Sequence, residues 1–279
     1  MNRKTLILIF LSSVIMIISS FSSHAQDPNF HIYLCFGQSN MEGQGAIEAE
    51  DREVDSRFLV MQALNCPELG RTKGNWYKAI PPLCQCASGL SPIDYFGRTM
   101  IANLPDSIKV GVINVAVGGC DIRLFDKDLY QDYDSTYKEE WFTNKIADYK
   151  GNPYEYLIDM AKRSQKDGII KGILLHQGET NTGDNRWPYY VKKIYNDILT
   201  DLSLDADSVP LLAGEVVSVD NSCCASMNTI INKLPDSVET AHIISSKDCS
   251  AKDKAHFDSA GYREMGRRYA LKMLSLLSK

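Results

Sequence analysis

The stretch FHIYLCFGQSNMEG, residues 30–43, decides the fold. Its first seven residues form a nearly continuous apolar run, which is typical of a strand buried on both faces of a parallel sheet. A glycine-rich turn follows, and it contains Ser39. The carboxyl end of such a strand opens into the ligand crevice of a parallel sheet. Ser39 therefore lies where a nucleophile would be useful, although an isolated Gly-x-Ser is more often a turn that caps a helix.

Apolar, β-rich runs alternate with helical patterns along the rest of the chain. Strands are predicted at residues 30–36, 57–62, 109–117, 169–175, 209–216 and 241–244. Helices are predicted at residues 92–102, 154–166, 188–202, 227–234 and 259–277. This alternation predicts an α/β fold of three layers, α/β/α, in which a parallel sheet of about five strands is covered by helices on both faces.

The first 25 residues are predicted to be a cleavable secretory signal peptide. Arg3 and Lys4 precede an apolar run over residues 6–18, and residues 23–25 supply the small side chains that a signal peptidase reads. The run is shorter than the about 20 apolar residues that a membrane span needs. We therefore expect residues 26–279 to form a single domain that is secreted or periplasmic and has no membrane anchor after cleavage.

Charge and cysteine content narrow the possible partners. The formal net charge is −5, or −7 without the two basic residues of the N-terminal segment. A mildly acidic surface argues against nucleic acid and anionic membranes. The eight cysteines permit disulfides in a secreted chain, but their pairing cannot be deduced. Zinc is a weaker interpretation, because no cysteine pair has the two-residue spacing of a zinc knuckle. We expect no metal and no cofactor.

Three further polar or glycine-rich groups lie beside predicted elements. Gly118-Gly119-Cys120 follows the third predicted strand, and the missing side chains would let a backbone N–H point into a cleft. His176-Gln177-Gly178-Glu179 follows the fourth. Asp253-Lys254-Ala255-His256 precedes the last helix. Each group alone has an ordinary structural explanation, but together with Ser39 they supply the parts of an acyl-transfer site.

The chemistry of acyl transfer assigns roles to these residues. A serine hydroxyl is a poor nucleophile until a histidine accepts its proton, and the histidine needs a carboxylate that holds its tautomer. Ser39, His256 and Asp253 fit these roles, because a tight turn of three residues can bring Asp253 onto the ring nitrogen that faces away from the serine. The backbone N–H groups of Ser39 and Gly119, with the side-chain amide of Gln177, are candidates for the oxyanion hole.

Four blocks carry a family resemblance: GQSNM at 37–41, the Gly118-Gly119 turn, HQGE at 176–179 and DKAHFD at 253–258. In this order they resemble the blocks of the sialate O-acetylesterase-like branch of the SGNH hydrolases, which includes the acetylxylan esterases of carbohydrate esterase family 6. The resemblance implies a flavodoxin-like fold, with Ser39 as nucleophile, His256 as base and Asp253 as its orienting acid. It also implies Gly119 and Gln177 as oxyanion-hole residues.

The blocks depart from the general SGNH pattern at two places. General SGNH enzymes have Gly-Asp-Ser in the first block and Gly-x-Asn-Asp in the third, whereas this chain has Gly-Gln-Ser and His-Gln-Gly-Glu. The departure indicates the carbohydrate-directed branch. Glu179 then either replaces Asp253 as the partner of His256 or braces the active-site loops, and we favour bracing. Gln38 and Asn40 are predicted to be supporting residues.

Several remaining residues have structural interpretations. Asp258 is predicted to cap the last helix. Arg123 and Trp187 are candidates for sugar contacts, but we favour an exposed arginine and a core tryptophan. The histidines outside the site are interpreted as structural: His31, His176 and His242. For His176, a place at the edge of the cleft is a further possibility.

The sequence thus predicts a secreted serine esterase that removes acetyl groups from a polysaccharide or sugar. The alternative within the hydrolases is a sialate or feruloyl-type esterase. An alternative of another class is a non-catalytic carbohydrate-binding protein on the same scaffold, although the intact Ser39, Asp253 and His256 argue against it. A nucleotide binder is disfavoured, because residues 37–45 lack the Lys followed by Ser or Thr of a phosphate loop. The sugar itself depends on the loops over residues 48–88 and 124–150.

Overall fold

The computed structural model describes residues 26–136 and 139–278, and a seven-stranded sheet runs through it. Its spatial order is β3-β2-β4-β1-β5-β6-β7. β3 is antiparallel to β2, and all other neighbouring pairs are parallel. The predicted signal peptide lies outside the described residues. The strands are β1 (Asp27–Gly37), β2 (Phe58–Met61), β3 (Trp76–Lys78), β4 (Lys109–Ala116), β5 (Gly168–His176), β6 (Leu211–Gly214) and β7 (Ala241–Ile244).

The sheet contains a flavodoxin-like core. Numbered along the chain, the five strands β1, β4, β5, β6 and β7 have the spatial order 2-1-3-4-5, which is the flavodoxin-like order. The ribbon of β2 and β3 extends this core beside β4, so the sheet is larger than the predicted five strands. The sequence predicts six of the seven strands and misses β3, because three residues are too few to show a period of two.

Helices cover both faces of the sheet, which confirms the predicted three layers. α2 and α8 share one apolar cluster with the sheet, and α4, α5 and α6 share the other. None of the helices within the described ranges is long and apolar enough to cross a membrane. The α-helices are α1 (Ser39–Glu42), α2 (Pro92–Asn103), α3 (Tyr130–Thr136), α4 (Glu140–Asp148), α5 (Pro153–Ser164), α6 (Trp187–Leu202), α7 (Asn228–Ile231) and α8 (Ser259–Leu277).

The central strand β1 explains where the ligand crevice lies. Ile32, Leu34 and Phe36 are fully buried in one apolar cluster, and Tyr33 and Cys35 are fully buried in the other. Both faces of the strand are therefore apolar, as its unbroken hydrophobic run predicts. β4 lies on one side of β1 and β5 on the other. The order of successive strands in the sheet reverses at β1, and the carboxyl ends of these three strands meet there.

The cysteines divide into two disulfides and four buried thiols. Cys66 pairs with Cys86, and Cys223 pairs with its neighbour Cys224. Within the described residues, one group has the spacing of metal ligands, and it consists of Cys66, Glu68 and Cys86. Its two sulfur atoms are bonded to each other in a disulfide. The free cysteines are Cys35, Cys84, Cys120 and Cys249.

Candidate active site

The ends of β1, β4 and β5 are joined by backbone hydrogen bonds. Gln38 N–H donates to His176 O at 3.0 Å, and Val117 N–H donates to Gly37 O at 3.0 Å. Gly37 has φ +151°, and a Cβ at this position would lie 2.1 Å from His176 O. Only glycine permits this approach of the two chains. The turn therefore places Ser39 at the first position of α1, directly over the end of the sheet.

Ser39, His256 and Asp253 form a continuous hydrogen-bonded chain. His256 Nε2 lies 3.0 Å from Ser39 Oγ, and His256 Nδ1 lies 3.0 Å from Asp253 Oδ2. The backbone N–H groups of Ala255 and His256 both donate to Asp253 Oδ1 at 2.8 Å. Burial opposes ionisation of Asp253, but these hydrogen bonds and the His256 ring hold its pKa below the usual range. The carboxylate is thus an ion that faces the ring nitrogen opposite the serine.

Asn40 fastens the loop that carries His256 to the nucleophile turn. Its side chain is fully buried. The Asn40 amide N–H groups donate to Ala255 O at 2.8 Å and to the Glu179 carboxylate. Asn40 Oδ1 accepts hydrogen bonds from the Tyr262 hydroxyl at 2.6 Å and from Phe257 N–H at 3.4 Å. The residue beside Ser39 therefore sets the position of His256.

Glu179 contacts Asn40, whereas Asp253 contacts the His256 ring. One oxygen of the half-buried Glu179 carboxylate accepts the Asn40 amide, and the other is buried with no hydrogen-bond partner among the described residues. Burial raises the pKa of Glu179. This geometry matches a carboxyl group that braces the loops.

The Gly118-Gly119 turn is held by a carboxylate that the sequence analysis does not single out. Glu42, at the end of α1, is 4% exposed. One of its oxygens accepts Gly118 N–H at 2.6 Å, and the other pairs with Lys145 Nζ at 2.6 Å. Gly119 has φ +81°. Within the described part of the chain, neither Gly119 N–H nor Ser39 N–H has a hydrogen-bond acceptor, so both remain available to a ligand. Glu42 belongs to the stretch 30–43, and this position beside Ser39 is the feature of the sequence that could have indicated its role.

The predicted role of Gln177 as an oxyanion donor is not compatible with its surroundings. Gln177 is 0% exposed, and its amide nitrogen donates to Gln38 Oε1 at 3.1 Å, Cys120 O at 3.1 Å and Asn181 Oδ1 at 2.6 Å. The Trp187 indole N–H donates to its carbonyl oxygen, which fixes the orientation of the amide. Both amide hydrogens are committed inside the protein, so Gln177 ties the strand ends together instead of facing a substrate.

The two candidate sugar contacts have different surroundings. Trp187 is fully buried, so it is a core tryptophan and does not contact a sugar. Arg123 forms a bidentate ion pair with Asp121, in which its Nε donates to Oδ1 at 2.9 Å and its Nη2 donates to Oδ2 at 2.6 Å. It also lines a cavity of about 440 Å³ together with Thr180 and Tyr190. Arg123 is thus partly exposed beside the site, with its charge compensated by a buried aspartate.

The remaining structural interpretations hold. His176 is fully buried, its Nδ1 lies 3.2 Å from the Tyr269 hydroxyl, and burial lowers its pKa to about 3, so the ring is neutral. His31 and His242 are half-buried within β1 and β7. Asp258 accepts Gly261 N–H at 2.8 Å and caps α8, as predicted.

Comparisons with known proteins agree with this fold. Among solved structures, the chain resembles a protein from Arabidopsis thaliana, with 19% identity and a TM-score of 0.67 over 89% of this chain and 99% of that one. It also resembles NanS, with 14% identity and a TM-score of 0.64 over 90% of this chain and 98% of that one. A carbohydrate acetylesterase from Xanthomonas citri matches with 16% identity and a TM-score of 0.59 over 86% of this chain and 55% of that one. At these identities the likeness concerns the fold.

The family assignment rests on a match over most of the chain. Residues 29–275 match the family model described as carbohydrate esterase, sialic acid-specific acetylesterase. This range contains all four sequence blocks and every residue of the site. The chain is therefore an esterase, and it belongs to the sialic acid-specific acetylesterase family of carbohydrate esterases, within the SGNH hydrolases.

Proposed function

We propose that this esterase is a serine carbohydrate O-acetylesterase that works through an acyl-enzyme on Ser39. The observation that carries the proposal is the chain of hydrogen bonds from Ser39 Oγ through the His256 ring to Asp253, with both ring contacts at 3.0 Å. It lies beside the two N–H groups, of Ser39 and Gly119, that have no acceptor in the described structure. Nucleophile, base and oxyanion donors are thus present together.

The geometry supports the following reaction. Ser39 Oγ attacks the acetyl carbonyl carbon while His256 Nε2 accepts the hydroxyl proton. The N–H groups of Ser39 and Gly119 bind the oxygen on which negative charge develops. The protonated ring then donates its proton to the departing sugar oxygen, which leaves the acetyl group on Ser39. Water, deprotonated by the same ring, attacks this ester, and the ring then returns the proton to Ser39 Oγ as the bond between Ser39 Oγ and the acetyl carbon breaks and acetate leaves. Asp253 holds the ring tautomer and stabilises its cationic form.

As the substrate we propose a neutral acetylated polysaccharide or sugar of the acetylxylan type. The two cations around the Gly119 turn are already compensated, because Lys145 pairs with Glu42 and Arg123 pairs with Asp121. Neither offers an unpaired charge to the carboxylate of a sialic acid. The family match favours an O-acetylated sialic acid as the second candidate. Acetate release from acetylated xylan and from O-acetyl sialic acid, measured side by side, distinguishes the two.

The reaction is tested by Ser39→Ala. We expect acetate release from acetylated xylan to fall by about 10⁴-fold or more, because no other group in the site can carry the acetyl group. A fluorophosphonate probe should label the wild type and not the variant. The folded fraction, followed by circular dichroism, serves as the control. Substantial turnover by the folded variant would refute an acyl-enzyme on Ser39.

We also propose that residues 1–25 act as a signal peptide and that the mature enzyme is secreted or periplasmic. The basic residues, the apolar run and the small residues before Gln26 support this proposal. Intact-mass measurement of protein recovered outside the cytoplasm should give a chain that begins near Gln26. An uncleaved chain found in the cytoplasm would contradict it.

A further inference from the structure

We propose that Trp141 is an aromatic platform for the sugar ring that carries the acetyl group, an inference that rests on the proposed function. Trp141 lies on α4 and is 50% exposed, whereas Phe142 and Ile146 of the same helix are buried in the core. Ligand sites are lined preferentially by aromatic side chains, because these offer a large, flat apolar surface. An indole left open to solvent at the rim of a catalytic site has such a surface available.

The indole lies directly over the oxyanion turn. A Cβ placed on Gly119 would lie 3.0 Å from Trp141 Cη2 and 3.7 Å from Cζ3. Gly119 N–H is one of the two donors assigned to the carbonyl oxygen of the substrate. A substrate whose carbonyl oxygen accepts this hydrogen bond therefore brings its remaining atoms alongside the indole.

Two sets of contacts fix the indole relative to this turn. Lys145 is four residues after Trp141, so both side chains lie on the same side of α4. Lys145 pairs with Glu42, and Glu42 accepts Gly118 N–H. The Trp141 indole N–H donates to Glu139, and its ring packs edge-on against Phe142 with centroids 5.5 Å apart. Because the platform is formed before the substrate arrives, less entropy is lost on binding.

The size of the indole selects the alcohol part of the ester as its partner. An acetyl group offers one methyl group, which is too small to cover an indole. A pyranose ring linked to the same carbonyl carbon through the ester oxygen offers a broad face of C–H groups and polar hydroxyls at its edge. Polar groups lie nearby: the exposed Thr180 donates its hydroxyl to Gly119 O at 3.0 Å and lines the cavity that contains Arg123. The platform therefore favours acetylated pyranosides over acetates of small alcohols.

The kinetic test compares two substrates in Trp141→Ala. We expect the ratio of kcat/KM for an acetylated methyl xyloside to kcat/KM for ethyl acetate to fall about 10- to 100-fold, mainly through KM, as loss of a large aromatic contact predicts. Trp141→Phe should restore part of the ratio. Leu271→Ala, which truncates another exposed apolar side chain on α8, should leave it unchanged. A ratio that is unchanged in Trp141→Ala, including an equal loss on both substrates, would overturn the inference.

Fluorescence provides a second readout that does not depend on turnover. In Ser39→Ala, acetylated methyl xyloside should change the tryptophan emission, and the response should be absent from Ser39→Ala combined with Trp141→Phe. A response that persists in the double variant, or no response in either, would overturn the platform. If the wild type hydrolyses ethyl acetate but no acetylated sugar, the proposed function fails and the platform with it. If the wild type hydrolyses both substrates and the ratio does not respond to Trp141→Ala, only the platform fails.

Discussion

The proposed nucleophile and its proposed base lie in regions of opposite construction. Ser39 follows the central strand of the sheet, and the two residues on either side of it, Gln38 and Asn40, are at most 3% exposed. The proposed base, His256, lies on the loop between β7 and α8, where its side chain is 26% exposed and that of Asp253 is 46% exposed. One half of the site is therefore part of the core, and the other half is a surface loop.

The difference shows which interactions the site depends on. In the core half, Gln38 and Gln177 join β1 to β5 through hydrogen bonds that water cannot reach, where such networks are strongest when fully satisfied. The loop half folds around the Asp253 carboxylate, which accepts two of the loop's own N–H groups. Asn40 connects the halves through its hydrogen bonds to Ala255 and Phe257. Changes in the core half should therefore affect stability first, and changes in the loop half should affect catalysis first.

Among the changes that distinguish the two halves, the largest effect is expected for Asp253→Asn. The asparagine oxygen can still accept the loop N–H groups, but it removes the charge that holds the His256 tautomer, so kcat should fall about 10³- to 10⁴-fold. The melting temperature should change little, because the side chain is partly exposed. Glu179→Gln should lower kcat by about tenfold or less, since its contact is with Asn40. If Glu179→Gln shows the larger loss of kcat, Glu179 and not Asp253 is the acid partner.

The connection between the halves is broken by Asn40→Ala. The loop would lose its hydrogen bonds from the Asn40 amide to Ala255 O and from Phe257 N–H to the Asn40 oxygen. A displacement of His256 by about 1 Å should lower kcat about a hundredfold. Asn228→Ala is a matched control, because Asn228, on α7 and outside the site, makes two hydrogen bonds with the backbone of Val216. Equal effects on kcat in the two variants would show that Asn40 contributes only to stability.

The core half is tested by Gln177→Leu. Without the amide, the buried Trp187 indole N–H loses its acceptor and the buried Asn181 carbonyl oxygen loses a donor. These losses should lower the free energy of unfolding by about 2–4 kcal/mol. Urea denaturation measures this loss. In the folded variant kcat should fall by less than the about 10²- to 10³-fold expected for an oxyanion donor. A larger fall would restore Gln177 to the oxyanion hole.

The sequence predicts the parts of the fold that depend on long apolar patterns. Six strands and all the longer helices appear close to their predicted positions, because burial on both faces gives a strand an unbroken apolar run and packing on the sheet gives a helix an apolar period of 3.6 residues. The strand β3 and the helices α1, α3 and α4 escape prediction, since they are short or lie in segments whose pattern resembles a loop. Trp141 belongs to one of these segments, which is why its place beside Gly119 emerges only from the tertiary structure.

At the site, the sequence predicts residue types but not the direction in which each side chain faces. The candidate triad follows from the order of the four blocks, and the structure brings Ser39, His256 and Asp253 within hydrogen-bond distance. Gln177 stands next to them in the same blocks, yet its amide turns into the core because the buried Trp187 indole needs an acceptor. Such a choice depends on a partner ten residues away, and no local pattern records it.

The smallest expected effect concerns the pH dependence of stability, and it tests whether Glu179 belongs with the core half. Burial raises the pKa of Glu179 in the folded state above its ordinary value of about 4.3. The folded protein therefore holds this proton more tightly than the unfolded chain. The contribution of the group is most favourable below about pH 4, and it declines as pH rises through the folded-state pKa.

Glu179→Gln should remove this decline. Its amide keeps an oxygen that can accept the Asn40 N–H, but it does not ionise, so the free energy of unfolding of the variant relative to the wild type should increase from pH 4 to pH 7. Urea denaturation at four pH values over this range measures the trend. Parallel curves for the two proteins would mean that the Glu179 carboxylate is stabilised as well in the folded protein as in water. In that case its buried, unpartnered oxygen would have to find a donor, and the charge of His256 favours such an ion.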